Sequence, residues 1–241
     1  MSIELENLTK RYGERNAVNQ LSLSIQQGEF FALLGQNGAG KTTTIRMLCC
    51  LLSPTSGDAT MLGDSVVGNP SAVKQKLNVS PQETAVAPNL TIQENLELIA
   101  RIYGCNKQQS QLKAIEMMDV FGLTERAKNK AKTLSGGLQR RLSIAMALIS
   151  NPEILFLDEP TLGLDVRARR ELWNTLAALK GKITIILTTH YLEEAEALAD
   201  RIGIMHGGKL HAFGTVEELK ESTEKATLED AFLLLTEEEG A

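Results

Sequence analysis

Eight consecutive residues, Gly35-Gln36-Asn37-Gly38-Ala39-Gly40-Lys41-Thr42, have the types and spacing of a loop that cradles phosphate. Gly35, Gly38 and Gly40 let backbone N–H groups turn inward on phosphate oxygens without Cβ clashes. Lys41 supplies a mobile positive charge for the β- and γ-phosphates, and Thr42, with Thr43 behind it, an oxygen for Mg²⁺. At a glycine usage of ~7%, the four fixed positions arise by accident in on the order of one in a hundred chains of this length. A second group, Ile154-Leu155-Phe156-Leu157-Asp158-Glu159, ends an apolar run in two carboxylates. Asp158 is suited to hold Mg²⁺, directly or through water, and Glu159 to serve as general base toward an attacking water. Between the two lies Leu134-Ser135-Gly136-Gly137, whose hydroxyl and bare backbone N–H groups would open a helix and so form an anion site. Lys41 and Ser135 are far apart in sequence (135 − 41 = 94 positions).

These groups need strands and helices to carry them to one place. Residues 3–8 and 21–25 alternate apolar and polar and read as half-buried strands. Residues 30–34 are a continuous apolar run that feeds the phosphate loop, and 41–52 read as a helix stopped by Ser53-Pro54. Asn78-Val79-Ser80 leads as a strand end into Pro81-Gln82. From 91 to 149 the pattern is helical: Thr91-Ile92-Gln93-Glu94 is a capping box, and the segments 112–121 and 138–149 continue the block. Two buried strands, 154–157 and 183–188, flank a helix over 166–179. Residues 201–205 and 209–213 bracket His206-Gly207-Gly208 as a hairpin, and Glu237-Glu238-Glu239 reads as a solvated, frayed end. Strand–helix alternation of this kind gives an α/β fold with a mostly parallel sheet and an inserted helical subdomain.

Composition narrows the partners. With 43% apolar and 23% charged residues, the 241-residue chain reads as an ordinary globular protein with a full core. A net charge of −5 argues against a surface that coats nucleic acid. Cys49, Cys50 and Cys105 have neither metal-ligand spacing nor a disulfide pattern and read as thiols of a reducing compartment. No charged-then-apolar leader opens the sequence. The longest apolar stretches, such as 144–149 and 154–157, fall far short of the ~20 residues that span a bilayer. Work at a membrane would therefore need another chain to do the spanning.

The phosphate loop, the Ser-Gly-Gly element and the acidic strand, in this order, resemble the ATP-binding cassette family over roughly the first 210 residues. The resemblance implies a P-loop NTPase (RecA-like) core with an N-terminal antiparallel β subdomain. It implies a nucleotide-binding domain over 1–220, with the helical subdomain inserted at about 83–150 and a helical tail over 221–241. It also assigns roles. Tyr12 takes the place of the aromatic residue that stacks on adenine, although alone it would pass for a strand-end packing residue. Gln82 matches the glutamine that reaches Mg²⁺ and the attacking water, and His190 the histidine that hydrogen-bonds the γ-phosphate. Asp165, in Pro160-Thr161-Leu162-Gly163-Leu164-Asp165, matches a residue that pairs across a dimer. ATP would be sandwiched between one copy's loop and the other's Ser135, Gly136 and Gly137, closing two cassettes that reopen after hydrolysis. Leu138 departs from the glutamine common after Ser-Gly-Gly and removes one polar contact.

The expected load on this switch is an exporter of the ABC-2 type. The chain would be its ATPase subunit, peripheral at the cytoplasmic face of the membrane, bound to a separate multi-span permease. Pro81-Gln82-Glu83 and residues 89–103 would form the groove for the permease's short helix, and residues 188–196 and 227–232 resemble this branch. A soluble cassette, such as an iron–sulfur assembly ATPase, is the competing expectation. A nucleotide kinase or small GTPase does not account for Ser135-Gly136-Gly137.

Overall fold

A computed structural model describes residues 2–237; Glu238 and Glu239 of the acidic ending lie outside the described residues. The chain runs β1 (Ile3–Tyr12), β2 (Arg15–Ile25), β3 (Phe30–Leu34), α1 (Lys41–Leu48), β4 (Ser56–Met61), β5 (Asp64–Ser65), α2 (Pro70–Lys76), β6 (Leu77–Ser80), α3 (Ile92–Ile102), α4 (Lys107–Val120) and α5 (Gly136–Leu148). It continues with β7 (Ile154–Asp158), α6 (Val166–Ala177), β8 (Thr184–Thr189), α7 (Leu192–Leu198), β9 (Arg201–His206), β10 (Lys209–Gly214), α8 (Val216–Thr223) and α9 (Leu228–Thr236).

Two sheets share the work. The larger has the order β10-β9-β3-β8-β7-β6, parallel throughout except for β10. Strands β3, β7 and β8 are buried at every position, which is why they read as unbroken apolar runs. Their side chains alternate between two cores. Phe30, Ala32 and Leu34 join Leu155, Leu157, Ile185 and Leu187 beneath the helices, while Phe31 and Leu33 join Phe156 and Ile186 on the other side. That second face is covered by the antiparallel sheet β2-β1-β4-β5 through Ile3, Leu5, Leu8, Val18 and Leu21.

The helical block forms where its caps predict. Thr91 and Glu94 make the reciprocal capping box of α3, Asn106 and Gln109 do the same for α4, and the Ser135 side chain caps α5. The three helices bury Leu96, Ala100, Ala114, Met118, Leu142 and Ala145 against one another and the sheet.

Several boundaries differ from the sequence reading. β1 and β2 extend to a tight turn after Tyr12 and carry bulges, because Asn7 (φ 49°) and Gln20 (φ 50°) interrupt the pairing. α1 ends at Leu48 rather than at 52, since Cys50 enters the left-handed region at φ 53°. β4, β5 and α2 have no strong sequence signal: only Ala59 and Met61 of Ser56–Met61 are buried.

Candidate active site

The parallel register brings three strand ends together. Leu34 pairs with Thr189, and Asp158 with Thr188. The phosphate loop, the acidic pair and Thr189-His190 therefore emerge side by side at the carboxyl edge of the sheet, where open α/β sheets place ligands.

Gly35 and Gly40 earn their positions by contact. A Cβ on Gly35 would lie 2.3 Å from the Met205 carbonyl oxygen, and one on Gly40, at φ 106°, would lie 2.4 Å from that of Ala17. The β9–β10 turn braces the loop from behind, with the Gly208 N–H donating to the Ala39 carbonyl at 3.1 Å. Lys41 is buried and donates to the carbonyls of Gly35 (2.7 Å) and Gln36 (3.2 Å), while its Nζ lies 3.3 Å from Glu159 Oε1. Gln36, Asn37, Gly38 and Thr42 are exposed and Thr43 half-buried, so the inner wall of the loop faces open space.

The two carboxylates sit in different surroundings. Asp158 Oδ1 accepts from the Thr42 hydroxyl at 3.1 Å and the Thr188 hydroxyl at 2.5 Å. Glu159 has a left-handed φ of 47°, held by its N–H donating to Thr188, and its other oxygen lies 2.7 Å from His190 Nδ1. With the carboxylate ionised, the His190 proton resides on Nδ1. Glu159 thus stands between a lysine and a histidine, pointing into the cleft.

That cleft, of about 540 Å³, is lined by Tyr12, Asn37, Lys41, Thr42, Gln82 and Glu159 among others. Tyr12 is half-exposed, with Lys10 Nζ 5.4 Å from its ring centroid. Arg15 and Ala17 also line the cleft and were not read as site residues; no local pattern marks them. Thr188 was missed as well, although its place beside Thr189-His190 was a usable signal.

Ser135, Gly136, Gly137 and Asp165 are not among the residues that line this cleft. Ser135 and Gly136 are exposed at the start of α5, and Asp165 caps α6 by accepting the Ala168 N–H at 2.9 Å. The cleft of one copy is therefore lined without its own Ser-Gly-Gly.

Residues 18–162 match the family model described as ABC transporter. The chain is 44% identical over 219 residues to the linearmycin resistance ATP-binding protein LnrL of Bacillus subtilis (strain 168), spanning 90% of this chain and 70% of that protein. It is 41% identical over 222 residues to the Nod factor export ATP-binding protein I of Burkholderia orbicola (strain AU 1054), spanning 91% of this chain and 73% of that protein. It superimposes on a dimeric, post-hydrolysis state of the ATP-binding cassette MJ0796 bound to ADP and Pi, with a TM-score of 0.80 at 28% identity over 88% of this chain and 98% of that one. A phosphate loop, an acidic strand end and a mixed sheet of this order define an ATP-binding cassette ATPase. The chain belongs to the ABC transporter family and is an ATP-binding, ATP-hydrolysing cassette.

Proposed function

We propose that the chain binds MgATP in the cleft of the phosphate loop, pairs with a second copy to complete the site, and drives a separate multi-span permease. The observation that carries this reading is the placement of Glu159 between Lys41 and His190, one residue past Asp158 and opposite the loop. Asp158 Oδ1 already gathers the hydroxyls of Thr42 and Thr188, a set of hard oxygens that suits Mg²⁺. Thr42, Asp158 and Gln82 would hold the ion, which neutralises charge on the β- and γ-phosphates when bound. The backbone N–H groups of residues 36–43 and Lys41 grip the phosphates, and Tyr12 at the cleft's mouth stacks on adenine. Glu159 takes the proton of the attacking water, and His190 contacts the γ-phosphate.

A groove of about 240 Å³ beside Pro81 is lined by Asn78, Ala85, Ile99, Ile102, Tyr103 and Met146. Its apolar walls and its continuity with Gln82 suit a short helix of the permease. Among the described residues no helix is long and apolar enough to cross a membrane. The permease would hold the subunit at the cytoplasmic face. The cassette occupies 1–220 with its helical arm at about 83–150 and its tail beyond; α8 runs across residue 220. The names of the relatives, one a linearmycin resistance and one a Nod factor export protein, favour an exporter over iron–sulfur assembly. No surface for nucleic acid is part of this reading.

The test is a pull-down of tagged Glu159→Gln protein from detergent-solubilised source membranes with MgATP. A multi-span protein as the main partner supports the exporter; a purely soluble partner set overturns it.

A further inference from the structure

Arg140 lies on α5, five positions after Ser135, and is 3% exposed. All its hydrogen-bonding partners are main-chain carbonyls. Nε donates to Pro160 O at 2.8 Å, Nη2 to Asp158 O at 2.7 Å, and Nη1 to the carbonyls of Pro81 and of Gln82, the latter at 3.2 Å. These acceptors belong to two separate segments that both end in the cleft. Asp158 and Pro160 flank Glu159, whose left-handed φ of 47° is unfavourable for a side-chain-bearing residue. Pro81 and Gln82 carry the glutamine of the cleft wall.

Burying a guanidinium without an ion-pair partner is costly, and a planar fork is the one side chain that can reach several fixed carbonyls from a single anchor. Burial lowers the Arg140 pKa to about 10, against the pull of Asp158 and Glu194, so the group stays charged at neutral pH. Core packing alone gives no reason for a cation at this place, because Leu142, Ile144 and Ala145 on the same helix fill the core with apolar side chains.

We infer that Arg140 is a positioning residue for ATP hydrolysis: it clamps the peptide groups on both sides of Glu159 and the Pro81–Gln82 backbone to the helix that carries Ser135. The inference rests on the reading of Glu159 as general base. Arg140 contacts no residue of the phosphate loop through these bonds, so the loop's grip on the phosphates does not pass through it. A contact made by Ser135 with a nucleotide held by a second copy acts on α5, and Arg140 transmits the position of α5 to the base and the glutamine. Each signal stays within hydrogen-bond reach of one side chain.

The experiment compares Arg140→Lys and Arg140→Gln with the wild-type chain, and uses Leu142→Ala as a control that loosens the same helix without touching the clamp. A displaced base on the order of an ångström costs about a hundredfold in rate. The expected result is therefore a fall in kcat of about ten- to a hundredfold in both Arg140 variants, with KM and the affinity for a fluorescent ATP analogue within about twofold of wild type. Leu142→Ala should melt at lower temperature with little change in kcat. In the Glu159→Gln background, Arg140→Lys should remove little further turnover, because it acts through a base already gone. If the Arg140 variants lose nucleotide binding and melting temperature together, or fail to fold, the residue is structural and the inference is overturned. Additive losses with Glu159→Gln also overturn it. Full turnover by Glu159→Gln alone would instead overturn the base assignment and the inference with it, whereas the preceding outcomes overturn the Arg140 inference alone.

Discussion

Glu159 and Lys41 form one buried ion pair, yet removing each should act on a different step, Glu159 on turnover and Lys41 on binding. Glu159→Gln keeps the shape and the His190 neighbour while deleting the base. We expect bound MgATP and a loss of turnover of about a hundred- to ten-thousandfold, measured by phosphate release in a single-turnover assay. Near-wild-type hydrolysis would sink the base assignment. Lys41→Ala deletes the cation that faces the phosphates, and nucleotide titration should show binding lost before any rate can be measured. The loop, Asp158 and Glu159 were legible in the sequence because glycine, lysine and acidic residues there follow apolar runs that can only be central strands. Arg140 was not legible. In Gln139-Arg140-Arg141 it reads as one of several solvated charges, and only the fold shows that its neighbour Arg141 reaches Glu171 near the surface while Arg140 turns inward.

At the scale of elements, α3 rests on its N-terminal cap and α7 carries a buried carboxylate. The Thr91–Glu94 box satisfies two backbone donors at the start of α3. Thr91→Ala should cost about 1 kcal/mol and lower the melting temperature by about 2–4 °C for a chain of this size. On α7, Glu194 is fully buried among charged neighbours Glu193 and Glu196, which gave no sequence hint of its burial. Its Oε1 accepts the Trp173 indole N–H at 3.0 Å, and it lies against Thr161, Thr189 and Arg169. Burial raises its pKa, and the hydrogen bonds and Arg169 only partly offset this. The folded state thus keeps a proton that the unfolded state releases, so this stability is fully present below the ordinary carboxylate range and is lost as pH rises through the raised value. Glu194→Gln should flatten the decline of melting temperature between that range and the raised value; an unchanged slope would show that Glu194 does not set it. The strands β3, β7 and β8 were readable for the reason that β4 and β5 were not: full burial writes an unbroken apolar run, whereas two short strands with two buried residues between them write almost nothing.

In the proposed reading the whole molecule is half of two sites. Its own Ser135 stands outside the cleft that holds Lys41 and Glu159, which is how a two-fold pair would need the parts arranged, each copy lending its α5 end to the other's nucleotide. This makes complementation the sharpest test. Ser135→Arg spoils the lent element and leaves the loop, while Lys41→Ala spoils the loop and leaves the lent element, so each variant alone should hydrolyse little ATP. Mixed, they can form a heterodimer with one intact composite site, built from the Lys41 of one copy and the Ser135 of the other. With random pairing half the dimers are mixed and one of their two sites is whole, giving at most about a quarter of wild-type turnover. Recovery that rises and then falls with the mixing ratio would establish the shared site. If Ser135→Arg alone hydrolyses ATP at the wild-type rate, the cleft works within a single chain and the Ser-Gly-Gly element has some other task.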